Sequence, residues 1–265
     1  MKYLSKTTAI VIYNFCMILI LAAACLIAAY CYSYRQSDLF YEDIQSQGIV
    51  SSELTEENIP SVSPETPYPA VDFSALRQIN PDLVGWISIP DTRINYPIVK
   101  RENDNKYYLS HLFDGTVNRS GCIFVDTRCS LESEHILIHG HNMANGSMFR
   151  DLRQFRSRDF LDSHPFFWIL TPEKAYQVQI FTCGVVGLDS PVWQLDFPTS
   201  GAKLTWLTSC QNVAWLRTDI MPAADDRIVT LSTCSYEFDQ ARWIVQGVLT
   251  EFTESPQGLT SWNDF

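Results

Sequence analysis

Three residues at the ends of short apolar runs carry the chemistry in this chain. Cys234 closes the run Arg227-Ile-Val-Thr-Leu-Ser-Thr-Cys234, and Arg242 opens the run Arg242-Trp-Ile-Val-Gln-Gly-Val-Leu249 after a polar turn from Ser235 to Gln240. That pattern predicts a β-hairpin with a thiol at the end of one strand and a fixed cation at the start of its partner. Upstream, Glu134-His-Ile-Leu-Ile-His-Gly-His141 is a further apolar run that delivers a histidine at its end. A thiol needs a base or cation beside it before it becomes a nucleophile. An imidazole can move protons for it, and a guanidinium can stabilise an oxyanion or hold a substrate backbone. Cys234, His141 and Arg242 therefore read as the parts of a cysteine acyl-transfer site.

Such a site needs a rigid frame, and the chain supplies short strands. Eight apolar runs punctuated by turn residues cover 84–89, 94–99, 121–126, 135–140, 168–170, 176–186, 228–234 and 242–252. They predict a mainly β domain, either a closed barrel or a sandwich. Asp72 is a good N-cap for a short helix ending before Asn80-Pro81. Two helical insertions are expected, over 147–161 and 200–218, the second with Leu204, Leu207, Trp215 and Leu216 on its apolar side.

The eight cysteines divide by position. Cys16, Cys25 and Cys31 belong to an apolar N-terminal segment, while Cys122, Cys183 and Cys210 lie in core-like runs and read as buried thiols. Cys129 is in a polar loop and carries no motif. Cys234 differs because its neighbours Ser232 and Thr233 are polar. His139 shares a strand face with His141 and reads as a wall residue, with a His-x-His metal site as the alternative; no further ligand is placed in sequence to complete a tetrahedral set. No metal and no cofactor are expected.

From Ala9 to Tyr34 there is no charged residue, a length that spans a bilayer as a helix. Lys2 and Lys6 precede it, which places residues 1–8 in the cytoplasm and the remainder outside. The alternative, a cleaved signal peptide, has a shorter apolar core. Residues 35–71 are acidic, with Pro60, Pro64, Pro67 and Pro69 near the end, and read as an extended spacer; residues 72–265 form the catalytic domain, the last dozen a frayed tail. The net charge of −11 comes largely from that spacer, and the absence of a basic patch argues against nucleic acid.

Thr230-Leu-Ser-Thr-Cys234 with Arg242, Gly140-His141-Asn-Met and Gly146-Ser-Met-Phe-Arg-Asp-Leu152 resemble the class B sortases. The similarity extends to the segment from Ile79 to Pro90, to Asp104-Asn-Lys-Tyr-Tyr-Leu109 and to Gly121-Cys-Ile-Phe-Val-Asp126. The resemblance implies a closed eight-stranded β-barrel with an N-terminal helix and a long helix between the sixth and seventh strands. It implies a membrane-anchored transpeptidase of Gram-positive bacteria, which cleaves a C-terminal sorting signal of secreted proteins and transfers them to a peptidoglycan amine. An Asn-Pro-x-Thr-Asn-like signal is the first to expect, and Asn105, Leu109 and Ser232 match positions near it. The family pattern usually carries Tyr where this chain has His139. Two alternatives keep the same parts: a surface cysteine protease that mainly hydrolyses, and a membrane-anchored binding module with a decayed site.

Overall fold

Residues 6–49 and 67–253 are described by a computed structural model. The eight expected strands are β1 (Leu83–Ser88), β2 (Asn95–Val99), β3 (Ile123–Val125), β4 (His135–His139), β5 (Phe166–Leu170), β6 (Ala175–Val186), β8 (Arg227–Cys234) and β9 (Arg242–Glu251), with a two-residue strand β7 (Leu216–Arg217) beside β6. They pair in the order β5-β1-β2-β3-β4-β8-β9-β6, and β5 then pairs with β6 to close the ring. Closure removes the exposed edges that an open sheet must protect. The barrel is mixed, since β2–β3 and β4–β8 run parallel and the other pairs antiparallel. Trp86, Phe167, Trp168 and Trp243 are among the side chains that fill the core.

β4 and β8 are buried almost end to end, and on β8 the polar Thr230, Ser232 and Thr233 are buried along with the apolar positions. Their outer side is covered by α4 (Ser200–Asn212), whose Trp206, Leu207 and Cys210 pack with Phe181, Ile228 and Ile244. Thr199 caps α4 by accepting a hydrogen bond from the Ala202 N–H. The helix is shorter than expected. Leu216 leaves it to pair with Cys183 on β6, and the buried face is Lys203, Trp206, Leu207 and Cys210, with Leu204 and Trp215 exposed. The insertion expected over 147–161 is likewise split into a 3-10 helix, Phe149–Arg156, and α3, Arg158–Ser163. Ser157 breaks it by adopting an extended backbone and capping α3 through Phe160 N–H.

The largest difference lies before the barrel. α1 runs without a break from Lys6 to Gly48, so residues 35–48 are helix rather than extended spacer. Acidic residues suggested solvent, yet Ser37, Tyr41, Ile44 and Gly48 recur at helical spacing and are buried. Tyr41 packs edge-on against Tyr96. At Gly48 the two helices come close, since a Cβ there would sit 2.9 Å from a methyl of Leu76 on α2 (Phe73–Ile79). Asp72 caps α2 as expected, accepting from Ala75 N–H at 2.9 Å. Ile49 forms a β-bridge with Val71, so the end of α1 lies beside the start of the barrel domain. Lys2, the segment 50–66 with Pro60 and Pro64, and the tail 254–265 lie outside the described residues.

Candidate active site

Strand register brings the chemical residues together. β4 lies parallel to β8 with His139 opposite Ser232, and β8 is antiparallel to β9 with Cys234 opposite Arg242. The ends of β4 and β8 and the start of β9 therefore meet at one rim. A cavity of about 420 Å³ opens there, and Cys234, His141, Arg242, Ser232, Asn105 and Leu109 all line it. Its remaining walls are largely apolar, with Phe124, Leu137, Leu188 and Trp193.

Each of the three ends is tied down. The Asn142 side-chain amide donates to the Cys234 carbonyl at 2.7 Å and accepts from Arg150 Nη1 at 3.0 Å, linking the loop after β4 to the end of β8. Arg156 lies over the rings of Trp215 and Trp243 and reaches Ser235 and Glu237 in the turn between β8 and β9. That stack holds the turn from behind. His141 Nε2 is 2.8 Å from the Leu109 carbonyl, which can only accept, so this nitrogen carries the hydrogen. Beneath the ring, Gly121 has a φ of +61°, and a Cβ there would lie 2.3 Å from the Tyr108 carbonyl and 3.2 Å from His141 Cδ2. Tyr41 of α1 donates to the Gly121 carbonyl at 2.6 Å, so the N-terminal helix braces the floor under His141. Arg242 uses Nη1 on the carbonyls of Gln240 and Ala241, and its Nε and Nη2 have no partner among the described residues.

His139 points to a buried carboxylate. Its Nε2 is 3.1 Å from Asp126 Oδ2, and Arg128 grips the same carboxylate through Nε at 2.9 Å and Nη2 at 3.0 Å. Burial alone would raise the Asp126 carboxyl, but hydrogen bonds from His139, Arg128 and Asn105 outweigh it and hold the group well below the usual carboxylate range. Asn105 also accepts from the Thr127 N–H at 2.8 Å. Its amide thus serves the Asp126 loop as well as the cavity wall.

Cys234 stands apart from the other barrel cysteines. Cys122, Cys183 and Cys210 are fully buried, and burial pushes each thiol up to about 12. Cys129 is buried too, despite its polar surroundings in sequence, and burial raises its thiol. Cys234 alone among them is half-exposed, at the cavity. His135 is enclosed between the Gln194 carbonyl and the Thr230 hydroxyl, and burial lowers it to about 4. Among the described residues no group of three or more His, Cys, Asp and Glu side chains is placed to hold a metal ion.

A sortase-domain family model matches residues 87–250, from β1 into β9. Sortase B of Listeria monocytogenes is 36% identical over 178 residues, 66% of this chain and 72% of that protein. The chain belongs to the class B sortases. The crystal structure of sortase B from Bacillus anthracis superimposes on it with a TM-score of 0.70 at 30% identity, covering 83% of this chain and 99% of the other. A substrate complex of Staphylococcus aureus sortase B gives 0.64 at 26% identity over 68% of this chain and 85% of that one. The family consists of cysteine transpeptidases, and this sortase is one by membership. Sequence reasoning passed over Asp126, Arg128, Asn142 and Arg156 as parts of its site. Asn142 stood inside the motif with His141, but only the β4–β8 register shows that its amide meets the Cys234 carbonyl.

Proposed function

We propose that this sortase cleaves a C-terminal sorting signal of secreted proteins and transfers them, through a thioester on Cys234, to an amine of the cell wall. The observation that carries the reading is the shared cavity, where the one half-exposed barrel thiol stands beside His141 and Arg242. Cys234 gives its thiol proton to His141, its Sγ attacks the scissile carbonyl, and the oxygen gains negative charge. Arg242 faces it with the two donor nitrogens that the turn carbonyls leave open. His141 gives a proton to the leaving amine, the C–N bond breaks and the thioester remains. With Nε2–H held by Leu109, Nδ1 is the nitrogen left to exchange that proton. An incoming amine, deprotonated at the same nitrogen, attacks the thioester and releases Cys234.

Ser232, Asn105 and Leu109 form the wall against which the signal lies, with an Asn-Pro-x-Thr-Asn-like sequence and a peptidoglycan amine as the partners. The first half of α1 is long and apolar enough to cross a membrane, with a mean hydropathy of 2.7. It is the anchor, with its N-terminus in the cytoplasm and the barrel outside. The test is mass spectrometry of the full chain in detergent with candidate sorting peptides, with and without an amine acceptor. A Cys234-linked acyl intermediate and an amine-extended product are expected, and Cys234→Ala should form neither while keeping its fold. Cleavage by Cys234→Ala would refute the mechanism, and hydrolysis that ignores added amine would make the enzyme a protease.

A further inference from the structure

We infer that His139 is a specificity determinant of this sortase: its Nδ1 accepts a hydrogen bond from a hydroxyl or amide N–H on the substrate side chain that enters the cavity on the acyl side of the scissile bond. The inference rests on the acyl-transfer reading above.

Hydrogen-bond bookkeeping carries it. Asp126 is 3% exposed and receives Arg128 Nε, Arg128 Nη2, the Arg128 backbone N–H and His139 Nε2, all within 3.1 Å. These donors, with the Asn105 amide beside them, keep the carboxylate ionised, and an ionised carboxylate only accepts. His139 Nε2 therefore carries a hydrogen, and in the neutral ring Nδ1 holds a lone pair. That nitrogen has no partner among the described residues, and the His139 side chain is 26% exposed where it lines the cavity. Other acceptors on this wall are less selective or already engaged. Asn105 Oδ1 is taken by Thr127 N–H, the Arg128 guanidinium only donates, and the Ser232 hydroxyl can donate as readily as accept. Leu109, Phe124 and Leu137 are apolar.

Register places the contact along the substrate. His139 lies opposite Ser232, two residues before Cys234 on the same strand face and so roughly 7 Å from it along the strand. A distance of that order is spanned by about two residues of an extended substrate. Asp126 acts through His139, holding the ring in one tautomer, and is a positioning residue.

The experiment compares acylation rates of the full chain in detergent on peptide libraries. Each of the four positions upstream of the scissile bond is varied between shape-matched pairs, Thr against Val and Asn against Leu. Wild type is expected to favour the hydrogen-bond donor of a pair by roughly 10- to 100-fold in kcat/KM at one position, the scale of a buried acceptor left unpaired. His139→Phe keeps a ring against Phe124, 5.3 Å away, and is expected to bring that ratio close to one. His139→Gln, which restores an acceptor oxygen, is expected to recover part of it, and it serves as the second variant if the Phe variant folds poorly. A ratio that both variants leave unchanged overturns the inference, as does a wild type that discriminates at no position. Equal slowing of both members of every pair means a structural role and overturns it too. These failures leave Cys234-dependent acylation intact, whereas failure of the acyl-transfer reading appears as no acyl-enzyme from any library.

Discussion

Removing the barrel-facing half of α1 should cost this sortase a large part of its stability. Tyr41 and Ile44 are 4% and 2% exposed, and uncovering each forfeits about 1.5–3 kcal/mol. At least four hydrogen bonds go with them: Tyr41 to the Gly121 carbonyl, Ser37 with Ser120, Gln45 to the Asn95 carbonyl and Asp38 with Asn145. At about 1 kcal/mol net each, the loss reaches on the order of 7–10 kcal/mol, comparable with the whole stability of many domains. A chain beginning at Asp72 should therefore melt roughly 15–40 °C below one beginning at Ser33, or not fold at all. Tyr41→Phe in the longer chain should cost about 1–3 kcal/mol, because the Gly121 carbonyl is left buried without its donor. Thermal melts followed by circular dichroism decide the matter. Equal midpoints for the two chains would show that α1 merely tethers the barrel and does not complete it.

Three further outcomes are expected. His141→Ala should slow acylation at least ~10²-fold, as loss of a general acid–base group does, while His139→Ala costs far less on peptides lacking a matching donor; the reverse order in steady-state assays would mean that the roles are exchanged. Arg242→Lys should lower kcat by roughly 10²-fold with the fold intact, since an ammonium keeps the charge but loses the fork; near-normal turnover at every pH would show that guanidinium geometry is not needed. His135 is neutral in the native barrel down to about pH 4, whereas an unfolded histidine takes its proton near 6.5. Its contribution is therefore complete above about 6.5 and drains away as pH falls towards 4, a loss on the order of 3 kcal/mol that urea titrations should show in the wild type and not in His135→Gln.

The barrel, and the meeting of Cys234, His141 and Arg242 at one cavity, were legible because each rests on a local signal. Strand runs end in turn residues, and Cys234, His141 and Arg242 sit at run ends that only a closed sheet brings to one rim. What stayed hidden depends on partners far away in sequence. The acids Glu42 and Asp43 are exposed on α1 and masked the period of Ser37, Tyr41, Ile44 and Gly48, whose meaning comes from Ser120, Gly121 and Leu76. Cys129 has polar neighbours in sequence but is buried, with the Leu137 N–H donating to its sulfur at 3.3 Å. His139 illustrates the limit most sharply. Strand period places it beside His141, yet nothing local separates a second base from a wall residue. That distinction is made by Asp126, thirteen residues earlier, which takes up Nε2 and leaves His139 one nitrogen for the cavity. His141 is instead oriented by a backbone carbonyl, that of Leu109, at 2.8 Å. The same side chain two residues apart thus meets different partners, a carboxylate in one case and a backbone carbonyl in the other.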